Sequence, residues 1–549
     1  MLGIISFIGF TLLVAGYAWW KTRGTDEKSA DGYYLGGRSL GAITIAGSLL
    51  LTNLSAEQIV GLNGQAFSEG ILVMAWETLA AIAIVLTAIF LLPKYMKKGI
   101  TTIPEFIEGR FDENTKAILS VLFLIAFSIV LLPTILYSGS LAFSTMFDLP
   151  TMLGISEGAV IWLCVWTIGL IGIVYAIFGG LKAVAVSDLI NAVGLLIGGL
   201  LIPYFGLKLI GDGSVGAGLN ELWTENQDKF ELAGDATSSI PATGIVFTGM
   251  MIAQMYYWGT NQSILQRVFG AKSLREGQKG MMIAAFVKFL IPVIVVLPGI
   301  IAWHVFEGNL SSADQAYPQL VKKVLPPALL GFFAAVLFGA VLSSFNSLLN
   351  SSATLFGFDL YKKFFKKDAS EYQTVKAGKL FGLLVAVISM SIAPFIANAP
   401  DGLFDYIQQA LGSLSVPILA VVLVGILTKK VPAIGAKIVM IVGVIMYVCT
   451  IYMRPKYQEA ALAEAAANGI TDIAQLAIIK AEAFPHFLYV MGVLFVLNII
   501  IMLVIGLIKP KTDAYVVVPT EAIDTTPWKY AYIVGGLIVL LVLSTYLIF

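Results

Sequence analysis

The sequence predicts an all-α polytopic membrane protein with about fourteen transmembrane helices in one bundle. Three observations carry that prediction. Of the 549 residues, 58% are hydrophobic and only 12% charged, against roughly 25% charged in a soluble domain. The apolar residues gather in runs of about 20 or more, enough to cross a hydrocarbon core about 30 Å thick. Two of those runs are interrupted mid-way by amide, hydroxyl and carboxylate groups, at Ser48–Gln58 and at Gln254–Gln262. Backbone at membrane depth must satisfy its own hydrogen bonds, so such a break survives only inside protein or against a wet cavity. Broken spans in corresponding places point to a transporter's binding site.

Taken in order, the spans fall near 1–20, 41–67, 71–95, 117–147, 155–178, 183–209, 243–266, 281–303, 325–360, 378–395, 404–428, 433–453, 485–508 and 530–549. The first has its charges after the apolar stretch and no small-x-small cleavage site before Lys21. It is expected to stay as a helix and not to be removed as a signal peptide. With the N-terminus outside, 26 of the 34 Lys and Arg residues fall in inner loops, Arg267 among them, and seven in outer loops. Lysine and arginine excess marks the cytoplasmic side. The expected location is therefore the plasma (inner) membrane, multi-pass, with both termini extracytoplasmic. Lys+Arg and Asp+Glu balance at 34 each, so no net field draws nucleic acid. Cys164 and Cys449 lie in apolar spans and read as small core residues. Two outer excursions, 211–242 and 454–484, are longer. The second is rich in Ala and Glu and predicts short surface helices; no function is read in either.

Four ionisable residues fall within spans: Glu57, Glu77, Asp188 and Lys288. A charge at a helix centre costs about 2.5–3.5 kcal/mol on insertion scales, so such groups face a cavity or one another. Glu77 lies roughly 9 Å deep from the outer end of its span and Lys288 roughly 10 Å from the inner end of its own, at 1.5 Å per residue. About 11 Å then separates their backbone levels in a 30 Å core. Either a direct ion pair or a small polar molecule held between them fits that gap. A carboxylate and an ammonium on opposite sides of a polyhydroxyl compound make charge-assisted hydrogen bonds.

More polar groups converge on the breaks. Asn53 and Gln58 flank the first, Gln254 and the pair Tyr257-Trp258 sit at the second, and Gln408 lies early in a later span. Amides donate and accept at once, which matches hydroxyls, and aromatic faces suit the apolar side of a ring. Hydroxyls cluster in Ala340–Asn350, with Ser343 and Ser347 on one helix face and Ser344 beside them. Several hydroxyls facing the freed carbonyls of a broken helix make an oxygen cage without a carboxylate, which favours a monovalent cation. His304 and His486 fall at outer span ends without metal-ligand spacing. The absence of a P-loop, a nucleophile elbow and a His-Glu-x-x-His helix counts against ATP drive and against a membrane hydrolase. The chain is not expected to be an enzyme.

These residues together resemble a known family. Tyr33–Ser39, Asn53–Gln58, Thr102–Phe111, Tyr175–Ala183, Tyr256–Gln262, Gln266-Arg267, Ser343-Ser344 and Asp405–Gln408 are similar to motifs of the sodium/solute symporters. Within that family the chain resembles most the bacterial sodium/galactose and animal sodium/glucose cotransporters. The resemblance implies a LeuT-like core of two inverted five-helix repeats, at 41–209 and 243–428, with an extra helix at 1–20 and extra helices over 433–549. It implies that Asn53, Gln58, Glu77, Lys288 and Gln408 bond the sugar hydroxyls, with Tyr257 as an inner aromatic gate beneath the sugar, next to Trp258; Gln254, at the second break, is expected to bind substrate beside them. It further implies a sodium site of Leu51, Leu54 and Ala340 carbonyls with Ser343 and Ser344 hydroxyls. Asp188 matches an aspartate near the sodium exit or a second site, where Asn346 and Ser347 would also stand. Gln254, Trp76 and Ala80 depart from the galactose transporter's Asn, Tyr and Ser.

The expected function is sodium-driven uptake of a galactose- or glucose-like sugar across the bilayer by alternating access. Symport of another polar solute, such as myo-inositol, sialic acid or proline, and a non-coupled sugar sensor or channel are the alternatives.

Overall fold

In hydrocarbon an open strand edge leaves backbone groups unsatisfied. The chain is accordingly helical, and among the described residues the only extended pairing is two isolated bridges, Leu40 with Ala271 and Ser273 with Asp524. The structure is a computed structural model describing residues 2–22, 30–232, 234–235, 237–241, 248–398, 403–512 and 523–548.

The first helices are α1 (Leu2–Thr22), α2 (Ala42–Asn53), α3 (Ala56–Glu69), α4 (Ala75–Leu86), α5 (Glu113–Ile125), α6 (Leu132–Phe147) and α7 (Glu157–Ile210). The centre of the chain gives α8 (Gly249–Gly259), α9 (Gln262–Phe269), α10 (Leu274–Leu290), α11 (Leu297–Phe306) and α12 (Pro327–Thr354). Then follow α13 (Glu371–Ile392), α14 (Leu403–Leu427), α15 (Ala433–Ala467), α16 (Phe487–Ile508) and α17 (Ala531–Ile548). Among the described residues nine helical stretches are long and apolar enough to cross a membrane. A tenth is α10 with Pro292–Phe306, bent by 46°, and Ile5–Ala18, α2 and Ala531–Tyr546 are shorter apolar helices. Gly70, with φ +78°, separates α3 from α4 in a conformation that favours glycine. Residues 243–247 of the seventh expected span lie outside the described residues.

Both expected breaks are present. α2 stops at Asn53, Leu54 leaves helical geometry (φ −81°, ψ 57°), Ser55 is extended, and α3 begins at Ala56. α8 stops at Gly259, and α9 restarts behind Asn261, whose side chain caps the Ser263 N–H at 2.9 Å.

Other boundaries differ from expectation. α10 begins at Leu274, not near 281, and the span bends at Pro292, which lacks an N–H and crowds the preceding turn. α15 runs through Pro455 to Ala467 and absorbs the surface helix expected after 459; Ile473–Glu482 is separate. The two spans expected at 155–178 and 183–209 are the apolar halves Glu157–Tyr175 and Val184–Ile210 of the continuous α7. Side chains of most of the Tyr175–Ala183 motif lie outside the described residues.

The interrupted helices sit at the centre. α2 packs against α7, α10 and α12, and α4 against α8, α10 and α17, while α14 touches α3 and α8. Gly47 brings α7 close: a side chain there would come within 3.0 Å of the Leu189 Cα.

Candidate functional site

The two breaks open onto one cavity, with about 900 Å³ of unfilled space, part of it continuous with solvent. Asn53, Gln58, Glu77, Gln254, Tyr257, Trp258, Lys288 and Gln408 all line it. They come from α2, α3, α4, α8, α10 and α14, so residues far apart in sequence meet where both interrupted helices border one space.

At its heart Lys288 forms an ion pair with Glu77, and both side chains are buried. Gln58 donates from Nε2 to Glu77 Oε1 at 2.5 Å. Each carboxylate oxygen thus has one donor, and Lys288 sits 5.8 Å from the Trp258 ring centroid. Of the two geometries left open by the sequence, the direct pair is the one observed. α10 reaches it because Lys288 lies one turn before the Pro292 bend.

The wall has a second polar layer. Gln254 donates to the Trp76 carbonyl at 2.7 Å, and Trp76 packs edge-on against Phe404, centroids 5.4 Å apart. Tyr257 and Trp258 are themselves edge to face at 5.3 Å. The indole N–H groups of Trp76 and Trp258 are buried without a hydrogen-bond partner among the described residues. An unmet buried donor costs roughly 1–3 kcal/mol, and both indoles belong to residues that line the cavity. The sequence marked Trp76 only as a departure from relatives, not as a donor. Glu57 also lines the cavity. It lies in the first turn of α3, where the positive end of the helix dipole favours a carboxylate, and it accepts from Ser55 Oγ.

Behind the cavity lies a cluster of oxygens. The last carbonyls of α2 lack helical partners, as at any helix C-terminus. Ser344 Oγ donates to the Thr52 carbonyl at 2.9 Å and reaches the Leu51 carbonyl at 3.5 Å. Leu54 caps α2, its N–H bonded to the Leu50 carbonyl at 2.7 Å. Ala340, Ser343 and Ser344 follow on one stretch of α12, facing the end of α2 through Ser344.

Asp188, on α7, accepts from Ser48 Oγ at 2.6 Å and lies beside Ser343 and Arg267. Arg267 corrects an expectation. Counted as an inner-loop cation, it is fully buried on α9 and donates to the Ser263 carbonyl and to Ser347 Oγ. The short polar helix α9 resembles a loop in hydropathy, yet it is packed inside the bundle. Its signal was the Gln266-Arg267 motif. An acid the sequence did not single out, Asp359, is buried against Lys116 at 3.3 Å.

The profile described as Sodium:solute symporter family matches residues 33–443. The uncharacterized symporter YidK of Escherichia coli (strain K12) is 45% identical over 528 residues, covering 96% of this chain and 87% of that one. A sodium/glucose cotransporter of Vibrio parahaemolyticus is 35% identical over 467 residues, covering 80% and 83%. A solved structure of a Na+-coupled sialic acid symporter, substrate-bound and outward-open, superposes with TM-score 0.67 at 20% identity over 91% of this chain and 98% of that one. That likeness shows the fold, the LeuT-like helical core expected from the sequence. The chain belongs to the Sodium:solute symporter family, multi-pass membrane transporters, not enzymes, that couple a small solute to sodium.

Proposed function

We propose that this protein couples inward sodium flow to uptake of a galactose- or glucose-like sugar. The observation that carries the reading is one cavity in which a buried carboxylate–ammonium pair, four amides and two indoles converge. A sugar hydroxyl donates and accepts at once. Inserted between Glu77 and Lys288, it receives from the ammonium and donates to the carboxylate, so both charges keep a partner. Asn53, Gln58, Gln254 and Gln408 contact the remaining hydroxyls. Tyr257 and Trp258 close the apolar face of the ring. The named sodium/glucose relative, at 35% identity, supports a sugar as the solute.

Sodium, as co-transported cargo, binds where the α2 carbonyls of Leu51 and Leu54 meet the Ala340 carbonyl and the Ser343 and Ser344 hydroxyls. It holds α2 against α12 and so fixes the break that shapes the cavity. Coupling follows if sodium binds that arrangement better than any other, and the sugar must then favour sodium to the same degree. Asp188 receives the ion on its way inward or holds a second one. The repeats at 41–209 and 243–428 move about this site, in the plasma (inner) membrane with both termini extracytoplasmic.

The test is uptake of labelled galactose and glucose into proteoliposomes under an imposed sodium gradient, a proton gradient or none. Accumulation above equilibrium only with sodium supports the reading. Competition by myo-inositol, sialic acid or proline in place of hexoses would reassign the solute. Equilibration without accumulation would make the protein a sensor or channel.

A further inference from the structure

The outer excursion, which carried no function in the sequence, brings three metal-ligating side chains together. Glu221 and Glu225 stand four residues apart on the helix Val215–Glu225 and share a face. His304 lies in the last turn of α11. One ligand atom from each residue lies within 4.8 Å of the other two. His304 Nε2 is 3.7 Å from Glu221 Oε1, and Nδ1 is 3.8 Å from Glu225 Oε2. Among the described residues no lysine or arginine comes within 4.0 Å of either carboxylate, so two negative groups converge on one imidazole.

The set is held from both sides. The buried Asn226 amide lies 3.0 Å from His304 Nδ1 and orients the ring. Lys229, just beyond, donates to the Ser68 carbonyl at 2.6 Å and sits 3.8 Å over the Trp303 ring. These contacts hold the end of the helix that carries the two glutamates beside α11.

We propose that Glu221, Glu225 and His304 form a binding site for a divalent transition metal, with Zn²⁺ the best match. Zinc takes imidazole nitrogen and carboxylate oxygen at about 2.0–2.2 Å in a tetrahedron, with water in the fourth position. Calcium and magnesium prefer oxygen-only sets. His304 ligates through Nε2 as neutral imidazole. Without the ion, Asn226 Nδ2, which also donates to the Leu222 carbonyl at 3.1 Å, donates to Nδ1, so loading moves the ring proton to Nδ1 and the amide keeps only the carbonyl. The bound ion ties the excursion to α11, next to the outer end of α3, where Phe67 meets Trp303 at 5.3 Å.

The experiment uses the full chain in detergent, stripped with chelator and free of any polyhistidine tag. Equilibrium dialysis against Zn²⁺ is expected to load about one ion per chain and to raise the unfolding temperature. His304→Ala and the double Glu221→Gln/Glu225→Gln each weaken loading roughly tenfold or more. His486→Ala leaves loading unchanged, and unfolding curves without metal verify that every variant is folded. Equal zinc retention by wild type and His304→Ala, or saturation by Ca²⁺ with no response to Zn²⁺, would overturn the proposal.

Discussion

Glu77–Lys288 and Asp359–Lys116 are both carboxylate–ammonium pairs inside the bundle, and their surroundings differ. Glu77 and Lys288 face the cavity between the two broken helices. Asp359 lies in the helical segment Leu355–Phe365 that continues α12, and its carboxylate is surrounded by donors. Ser120 Oγ reaches it at 2.9 Å, Thr102 Oγ1 at 3.3 Å and Lys116 at 3.3 Å. Lys116 in turn holds Glu108 at 2.9 Å. Thr102 is also the N-cap of the helix Ile103–Arg110. The second pair therefore joins three segments, and its carboxylate already accepts from three donors. The lesson is that a buried pair reads as a binding group only when empty volume adjoins it. With its coordination filled, the same chemistry is a clamp.

Four experiments sharpen or break this contrast. The largest effect is expected at the cavity: Lys288→Ala lowers sugar uptake roughly 100-fold or more, since hydrogen bonds to a charged group contribute about 1.5–3 kcal/mol each. It also leaves Glu77 unpaired, at a stability cost of roughly 3–5 kcal/mol. The double Glu77→Gln/Lys288→Met restores the unfolding temperature but not uptake. Next comes the clamp. Asp359→Ala lowers the unfolding temperature, and Asp359→Asn/Lys116→Met recovers it with uptake within about threefold of wild type, because a buried pair replaced by neutral groups is often tolerated. Equal loss of uptake in both doubles would erase the distinction. A smaller effect is expected at Ser344→Ala, which raises the sodium concentration for half-maximal uptake about tenfold, or about 1.4 kcal/mol, with uptake at saturating sodium preserved. The smallest is Gln254→Asn. It breaks the bond to the Trp76 carbonyl and shifts preference between hexoses about fivefold, the effect of about 1 kcal/mol, read as a ratio of kcat/KM values.

The sequence carried the architecture well, because a bilayer imposes length and polarity on every span and punishes each exception. The breaks at Leu54–Ser55 and Thr260–Asn261 were visible as polar residues where none belong. Depth along the helix axes placed Glu77 and Lys288 within reach of each other, yet it could not decide whether they touch. That depended on where α10 starts and on the bend at Pro292, neither of which hydropathy marks. Arg267 was misplaced for a related reason. A short helix after a break is as polar as a loop, and only its packing against α2 and α12 reveals that the guanidinium is buried. Asp359 was passed over because it lies near a span end with Lys362 and Lys363 just after it, where a solvated carboxylate is the usual case. The meeting of Glu221 and Glu225 with His304 has no sequence signal at all, since it arises from how the segment after α7 folds back onto a distant helix.

The interruption after Asn53 has a consequence for mutagenesis. Of the five groups proposed to hold sodium, those at Leu51, Leu54 and Ala340 are main-chain oxygens, present whatever side chain stands there. An alanine scan would register only Ser343 and Ser344 and would misjudge the site as a pair of serines. Changes to the backbone itself, such as proline at Ser55 or ester replacement of single amides, are the probes to which the remaining ligands respond.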